Sequence, residues 1–214
     1  MELKDILEQH AGAVMDRQQV LGERLGSHEW AADTESGMIF FSGPNIESPF
    51  EIIGTVSSAT GEWLWGWANA SLPGDLAVIS DSLHAVGKAE GIDFFTKERF
   101  PATKDDLHAM GIAACGLGGA KGYYIADYGD GILLVALKDE SVLHGWQPEH
   151  SRIFSVFPRV IQLFDLDHKA ALQHYLTSLG YAVSEEGGLS AVKDGRIVTA
   201  TFDTQGRLAE LQNG

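Results

Sequence analysis

The sequence predicts an α+β protein: a mainly antiparallel sheet of hairpins packed by amphipathic helices, with a C-terminal helix plus β-meander unit. Two observations predict this class. Strand-like segments come in adjacent pairs joined by turn-forming residues, as in antiparallel hairpins. Helical patterns lie between these pairs rather than between single strands, which argues against a parallel sheet.

The N-terminal part reads as one long helix followed by a hairpin. Apolar residues recur at helical spacing through residues 1–25, and Gly26 is a suitable end for that helix. Residues 30–41 then form a predicted hairpin with a turn of Asp, Thr, Glu, Ser and Gly at its tip. Residues 50–56 form the next predicted strand, and residues 57–61 turn it back on itself.

The returning strand carries three of the five tryptophans. Alternation along an extended strand places Trp63, Trp65, Trp67 and Asn69 on one face. One interpretation is core packing, because burial of each indole contributes about 4–6 kcal/mol as an upper estimate. The other is a ligand platform, because aromatic walls closed by one amide suit a flat or apolar small molecule. Both interpretations can hold if a pocket is formed at the rim of the packed tryptophan face.

Two further helices are predicted in the first two thirds of the chain. Ser71 is the expected cap of the first, with Pro73 in its opening turn. The second begins at a capping box formed by Thr103 and Asp106 and ends at Gly118.

Paired strands over residues 123–126 and 132–137 follow, and the stretch 147–150 is the predicted boundary. The main domain, residues 1–148, carries the tryptophan strand, and residues 149–214 form the smaller unit.

In this smaller unit, residues 153–157 resemble a strand, while residues 158–164 fit either a strand or a helix. Asp167 is the predicted N-cap of a helix that ends at Leu179, just before Gly180.

The remaining C-terminal residues predict short strands, with residues 207–211 extending the meander. The dipeptide Asp194-Gly195 is the strongest hairpin signal in the chain. The predicted strands are 181–184, 189–193 and 196–202.

The motif GxWLWGWAN at residues 61–69, within the segment 50–72, resembles a bacterial family of domains of unknown function. Members of that family share a Trp-x-Trp-x-Trp-Ala-Asn signature. The likeness continues through residues 107–117 and 122–124 and covers about residues 1–140. The resemblance implies a bacterial, mostly cytoplasmic protein and no particular chemistry.

The charge balance narrows the classes of partner. The chain has 30 acidic and 15 basic residues, a net charge of -15. Such a surface repels phosphate backbones and anionic lipids, so we expect neither nucleic-acid nor membrane binding. A basic protein would be attracted, although an acidic surface also serves solubility alone. Cys115 is the only cysteine, which favours a reducing, cytoplasmic compartment.

Local catalytic and metal-binding motifs are not recognisable. The glycine-rich stretch 116–122 closes a helix and precedes a strand, the reverse of a dinucleotide-binding turn. Cys115 lies within a predicted helix, where a buried, inert thiol is expected. The histidines lack metal-ligand spacing, and helix capping by Asp167 explains the Asp165-x-Asp167-His168 fragment. We therefore predict no catalytic residue, no metal site and no cofactor.

Two functions remain open. The first is a non-enzymatic binding or interaction protein, for example an acidic neutraliser of a basic bacterial toxin. Its candidate ligand-binding residues are Trp63, Trp65, Trp67 and Asn69. Its partner is either a basic protein or a small apolar or aromatic molecule. The second function is an enzyme whose site is assembled from distant polar residues.

Overall fold

The computed structural model of the chain describes residues 1–185 and 188–214. Within these residues the chain forms six α-helices and two antiparallel sheets, which confirms the predicted α+β class with a C-terminal meander. In this part of the chain no helix is both long and apolar enough to cross a bilayer.

The helices and strands are numbered in chain order. The helices are α1 (Leu3–Leu25), α2 (Val78–Glu90), α3 (Asp93–Thr96), α4 (Lys104–Gly116), α5 (His150–Leu163) and α6 (His168–Ser178). The strands are β1 (Trp30–Asp33), β2 (Met38–Phe41), β3 (Ile46–Ser57), β4 (Glu62–Trp65), β5 (Arg99–Pro101), β6 (Gly122–Asp127), β7 (Gly131–Leu137), β8 (Ala182–Ser184), β9 (Leu189–Lys193), β10 (Arg196–Phe202) and β11 (Leu208–Asn213).

The described residues divide into two compact units, and helix α1 contributes residues to both. Unit 1 consists of Met1–Leu3 and Arg17–Trp146. Unit 2 consists of Lys4–Asp16 and Gln147–Gly214. The division of the chain into domains of residues 1–148 and 149–214 stays a prediction.

Unit 1 contains a seven-stranded sheet built around the long strand β3. This strand pairs with β2 through residues 46–49, with β4 through residues 54–56 and with β7 through residues 50–57. Strand β5 pairs with β4, and β6 pairs with β7. In the described residues, β1, β5 and β6 each have a single partner and form edges of the sheet.

The core of unit 1 joins the end of α1 to one face of this sheet. Its central cluster is almost entirely aliphatic and aromatic, and Trp30 and Tyr124 pack against it. The members of the cluster are Leu21, Leu25, Ile39, Phe41, Ile46, Phe50, Ile52, Val135, Leu137 and Val142.

The two predicted helices of unit 1 begin differently. The capping box of α4 is confirmed, because Asp106 N donates to Thr103 Oγ1 (3.2 Å) and Thr103 N donates to Asp106 Oδ2 (2.8 Å). The predicted start of α2 at Ser71 is wrong. This helix begins at Val78, where Ile79 N donates to the buried carboxylate of Glu51 at 2.6 Å.

The first helix of the C-terminal part corrects a strand prediction. Residues 153–157 do not form a strand but lie in α5, which continues through Pro158. The buried residues Ile153, Val156, Phe157 and Val160 recur at helical spacing, so the helix buries one apolar face within unit 2.

The rest of unit 2 follows the sequence prediction. Asp167 caps α6, accepting a hydrogen bond from Ala170 N at 2.9 Å. Strands β8 to β11 form a four-stranded meander in chain order. Asp194 and Gly195 both have positive φ, 49° and 77°, as a tight hairpin turn requires.

Candidate functional site

A cleft lies in unit 1 between the last turns of α1 and strand β6. Its volume is about 250 Å³. We call it the edge cleft, because β6 is an edge strand in the described part of the sheet. The residues that line it are Gln18, Leu21, Gly22, Leu25, His28, His108, Tyr123, Tyr124 and Ile125.

Helix α1 supplies one wall of the edge cleft. Gln18, Leu21, Gly22 and Leu25 follow the pattern i, i+3, i+4, i+7, so they share one face of the helix. Leu21 and Leu25 also belong to the core cluster, which fixes the position of this wall.

Gly22 leaves space in that wall. A Cβ atom placed on Gly22 would meet no other atom within 4 Å. Glycine inside a helix costs about 0.5–1 kcal/mol relative to alanine, and no close packing requires it here. Gly22 is exposed, so this part of the wall stays open to solvent at a small cost in helix stability.

Strand β6 supplies the opposite wall, and Gln18 bridges the two. Gln18 Nε2 donates to the carbonyl oxygen of Tyr123 at 2.9 Å, and Tyr123 N donates to Gln18 Oε1 at 3.1 Å. The side-chain amide thus makes the two hydrogen bonds that a neighbouring strand would make at Tyr123. The edge of β6 is covered at this residue by a side chain.

His28 forms the first of two histidine–tyrosine pairs in the cleft. Its Nδ1 lies 3.0 Å from the carbonyl oxygen of Gly26, so this nitrogen carries the proton and donates. In the neutral ring, Nε2 is then an acceptor, and the Tyr124 hydroxyl donates to it at 2.9 Å. The pair orients both rings against the core beside the cleft.

His108 and Tyr123 form the second pair, with 2.7 Å between His108 Nδ1 and the Tyr123 hydroxyl. Burial raises the pKa of Tyr123, and the nearby Cys115 adds to this shift. Burial likewise raises the pKa of Tyr124. Both phenols therefore stay protonated at neutral pH and act as neutral hydrogen-bonding groups.

The predicted tryptophan face is interrupted after its second member. Trp63 and Trp65 lie in β4 and are 0% exposed, with their ring centroids 5.3 Å apart and their planes perpendicular. The chain leaves the extended conformation at Gly66 and forms a 3₁₀ turn through Ala68. The prediction of one extended face through residue 69 is therefore wrong.

Trp67 and Asn69 consequently lie apart from the strand. Trp67 stacks on His84 with ring centroids 3.6 Å apart and planes 14° from parallel. Asn69 Oδ1 accepts a hydrogen bond from Ser71 N at 3.1 Å, which closes a local turn. A ligand-binding role for Trp63, Trp65, Trp67 and Asn69 stays a prediction.

Other reactive groups do not assemble a centre in the described residues. Cys115 is buried, and burial raises its pKa to about 12. Residues 116–122 end α4 and lead into β6, as predicted for a helix-to-strand turn. Within residues 1–185 and 188–214, no group of three or more His, Cys, Asp or Glu side chains could hold a metal ion.

The edge cleft has no counterpart among the sites predicted from the sequence. Its lining comes from α1, the loop after it, α4 and β6, so Gln18 and Tyr123 are 105 residues apart in the chain. One local signal was available. Gly22, like Gly12, stands inside the helical pattern of α1, where glycine is unfavourable without a packing or functional reason.

Comparison with known proteins places most of this architecture in one family. Residues 4–140 match a family described as "Family of unknown function (DUF6882)", and every residue of the edge cleft lies within that match. No curated protein and no solved structure matches the chain.

Proposed function

The chain belongs to this family of unknown function, DUF6882, and we propose that it is a non-enzymatic binding module whose ligand inserts an apolar group into the edge cleft. The carrying observation is the cleft itself, which is open beside the exposed Gly22. Its lining combines the apolar side chains of Leu21, Leu25 and Ile125 with two histidine–tyrosine pairs. Ligand sites are typically concave and apolar, with a few polar groups that fix orientation.

The lining defines the chemistry of the ligand group. Leu21, Leu25 and Ile125 offer aliphatic contacts, while the His28–Tyr124 pair offers a hydrogen-bonding edge. A volume of about 250 Å³ is below the range of ~300–1,000 Å³ for drug-sized ligands. The inserted group is therefore the size of one or two rings, or of one large side chain.

Charge defines the rest of the ligand. Unit 1 contains 19 acidic and 8 basic residues, so most of the net charge of -15 belongs to the unit that holds the cleft. A basic or neutral ligand is attracted to this surface, and an anionic one is repelled. A basic protein partner and a small aromatic molecule both satisfy this requirement. A cytoplasmic location, favoured by the single cysteine, is part of the same proposal.

The competing function is an enzyme with a site assembled from distant polar residues. The two histidine–tyrosine pairs are the groups such an enzyme would use. General acid–base catalysis needs a group whose pKa lies near the working pH. Burial raises the pKa of both tyrosines, so neither phenol releases its proton near neutral pH, and we favour binding over catalysis.

The test is a nuclear magnetic resonance screen of small aromatic and aliphatic fragments against the isotopically labelled protein. Gly22→Trp fills the cleft from α1. Gly74→Trp is the matched control, because a Cβ on Gly74 also meets no atom within 4 Å and Gly74 lies outside the cleft. We expect fragments to shift the amide resonances of Gly22, Tyr124 and Ile125 in the wild type and the control.

Gly22→Trp should abolish those shifts while its thermal unfolding stays cooperative. A screen in which no fragment shifts the cleft resonances would contradict the proposal. Shifts of equal size in Gly22→Trp would also contradict it.

A further inference from the structure

We propose that the natural ligand of the edge cleft is an extended segment of a partner protein, with apolar and basic residues, that adds to β6 as a new strand. This inference rests on the proposed function and specifies its ligand class. In such complexes main-chain hydrogen bonds provide affinity, and alternate side chains enter pockets that provide specificity.

The backbone N–H and C=O groups of β6 alternate in direction across the edge of the sheet. The residues of an antiparallel strand alternate between hydrogen bonding to the partner strand and pointing away from it. Tyr128 N donates to Gly131 O at 3.1 Å, and Tyr123 instead exchanges both bonds with Gln18. The β6–β7 register has no shift between these points. Ile125 therefore points its N–H and C=O away from β7, on the same side as Tyr123.

In the described residues, β6 has no strand on the side toward which Ile125 points these groups. Among the described residues β6 pairs with β7 alone, so the outward groups of Ile125 have no strand partner. Another sheet edge of unit 1, β5, includes Pro101, which lacks an N–H for a further strand. At Ile125 the edge of β6 has no such block.

The amide of Gln18 already makes peptide-like bonds to Tyr123, so the outward N–H and C=O groups of β6 are positioned to pair with an amide. Gln18 also ends the available edge, because a strand that pairs with Ile125 meets this side chain two residues further along β6. The register of the added strand is therefore limited to the stretch from Ile125 toward Asp127.

The space beside Ile125 is suited to a single apolar side chain. An added strand places alternate side chains on opposite faces, so one of them is directed toward the cleft between β6 and α1. Gly22, Leu21 and Leu25 form the wall that this side chain would meet. One large apolar residue, flanked by residues that point away, fits a cleft of about 250 Å³.

Charge complementarity selects the remaining residues of the segment. Asp127 ends β6 and Asp130 lies in the following turn, and both are exposed. An added strand passes these carboxylates, in a unit with 19 acidic and 8 basic residues. Lysine or arginine at the positions beside the apolar anchor would be favoured there.

The experiment is selection from a phage library of random peptides about twelve residues long. The library is selected on the wild-type protein and counter-selected on Gly22→Trp. We expect enriched peptides with one large apolar residue and basic residues at alternating positions. Their affinity for Gly22→Trp should be at least about tenfold lower, and Gly74→Trp should bind them as the wild type does.

Backbone methylation then tests strand addition itself. Methylating the peptide nitrogen that pairs with Ile125 O should weaken binding about tenfold, the equivalent of about 1.4 kcal/mol for one lost hydrogen bond. Methylating the next nitrogen, which points away from β6, should have little effect. Hydrogen exchange of the Ile125 amide should slow when the peptide binds.

The outcomes separate this inference from the function on which it rests. Peptides that bind without sensitivity to methylation, and without protection of Ile125, would overturn strand addition and leave cleft binding intact. No enrichment over Gly22→Trp would overturn the peptide ligand, while fragment binding would still support the cleft. Concentration-dependent protection of Ile125 without any peptide would identify a second copy as the occupant and overturn the partner segment.

Discussion

Strands β4 and β6 both carry adjacent aromatic residues in the same sheet, yet they have opposite environments. Strand β4 lies between β3 and β5, and its Trp63 and Trp65 are fully buried. Strand β6 pairs with β7 alone in the described residues; its Tyr123 is also buried, but its Tyr124 and Ile125 are half-buried beside a cleft. The side chains are similarly large, but only β6 has backbone groups without a strand partner.

This difference separates two reasons for aromatic residues in a strand. Burial of the indoles in β4 stabilises the fold, and sealing both edges of that strand leaves no opening for a ligand. In β6, hydrogen-bonding capacity and apolar surface occur together at an open edge. Incomplete pairing identifies a candidate site better than aromatic content does.

The largest expected effect is in β4. Trp63→Ala should lower the free energy of unfolding by about 3–5 kcal/mol, because it leaves a large cavity at a fully buried position. Ile125→Ala, at the half-buried position in β6, should cost only about 1 kcal/mol. Urea unfolding of both variants measures the two costs. Equal costs would show that the two strands are packed alike.

A pair of glycine-to-alanine variants tests the same contrast with a single methyl group. A Cβ on Gly54 would overlap the Trp63 ring, so Gly54→Ala should destabilise the protein by about 1–3 kcal/mol. Gly22→Ala meets no atom within 4 Å and should stabilise it by about 0.5–1 kcal/mol. Thermal and urea unfolding should therefore shift in opposite directions. A loss of stability in Gly22→Ala would mean that the space above Gly22 is needed for folding.

Removing the Gln18 side chain, which covers the edge of β6 at Tyr123, should have a smaller effect on stability. Gln18→Ala removes both hydrogen bonds between this side chain and the main chain of Tyr123 and should cost about 1–2 kcal/mol. Gln19→Ala is the neighbouring control, because the Gln19 amide bonds to the exposed Glu23 side chain, and it should change stability by less than about 0.5 kcal/mol. Hydrogen exchange of the Tyr123 amide should accelerate in Gln18→Ala alone. An unchanged rate would show that Gln18 does not protect the edge.

The smallest effect concerns pH at the end of the tryptophan segment, where His84 stacks on Trp67. Burial lowers the pKa of His84 below 6.5, and the positive charge of Lys88 lowers it further. The unfolded chain then binds the proton more readily than the folded one, so stability falls as the pH drops through 6.5. His84→Gln removes this proton site. The stability difference between wild type and His84→Gln should therefore narrow between pH 7.5 and 5.5, and a constant difference would contradict the assignment.

Local chemistry made much of the fold predictable. The capping box at Thr103, the N-cap at Asp167 and the hairpin at Asp194 depend on a few neighbouring residues and are confirmed. Membership in a family of unknown function, predicted from residues 1–140, is confirmed for residues 4–140.

The predictions that were wrong or missing concern features that depend on residues distant in the sequence. Helix α2 begins where the carboxylate of Glu51 meets it, 28 residues away in sequence from Ile79. Helix α5 continues through Pro158 because its apolar face is buried within unit 2, an effect of tertiary packing that outweighs the local signal of proline. The edge cleft was missed for the same reason, since no local pattern indicates that β6 lacks a second partner.

The division of helix α1 between the two units has a consequence for relatives and for truncated chains. Ile6, Leu7, Ala11 and Val14 are buried, and Gly12 lies directly against the ring of Tyr175 in unit 2. The family match includes this half of the helix but ends before residues 147–214. A homologue limited to the matched segment must cover this apolar stripe in another way, by a different appended element or by self-association.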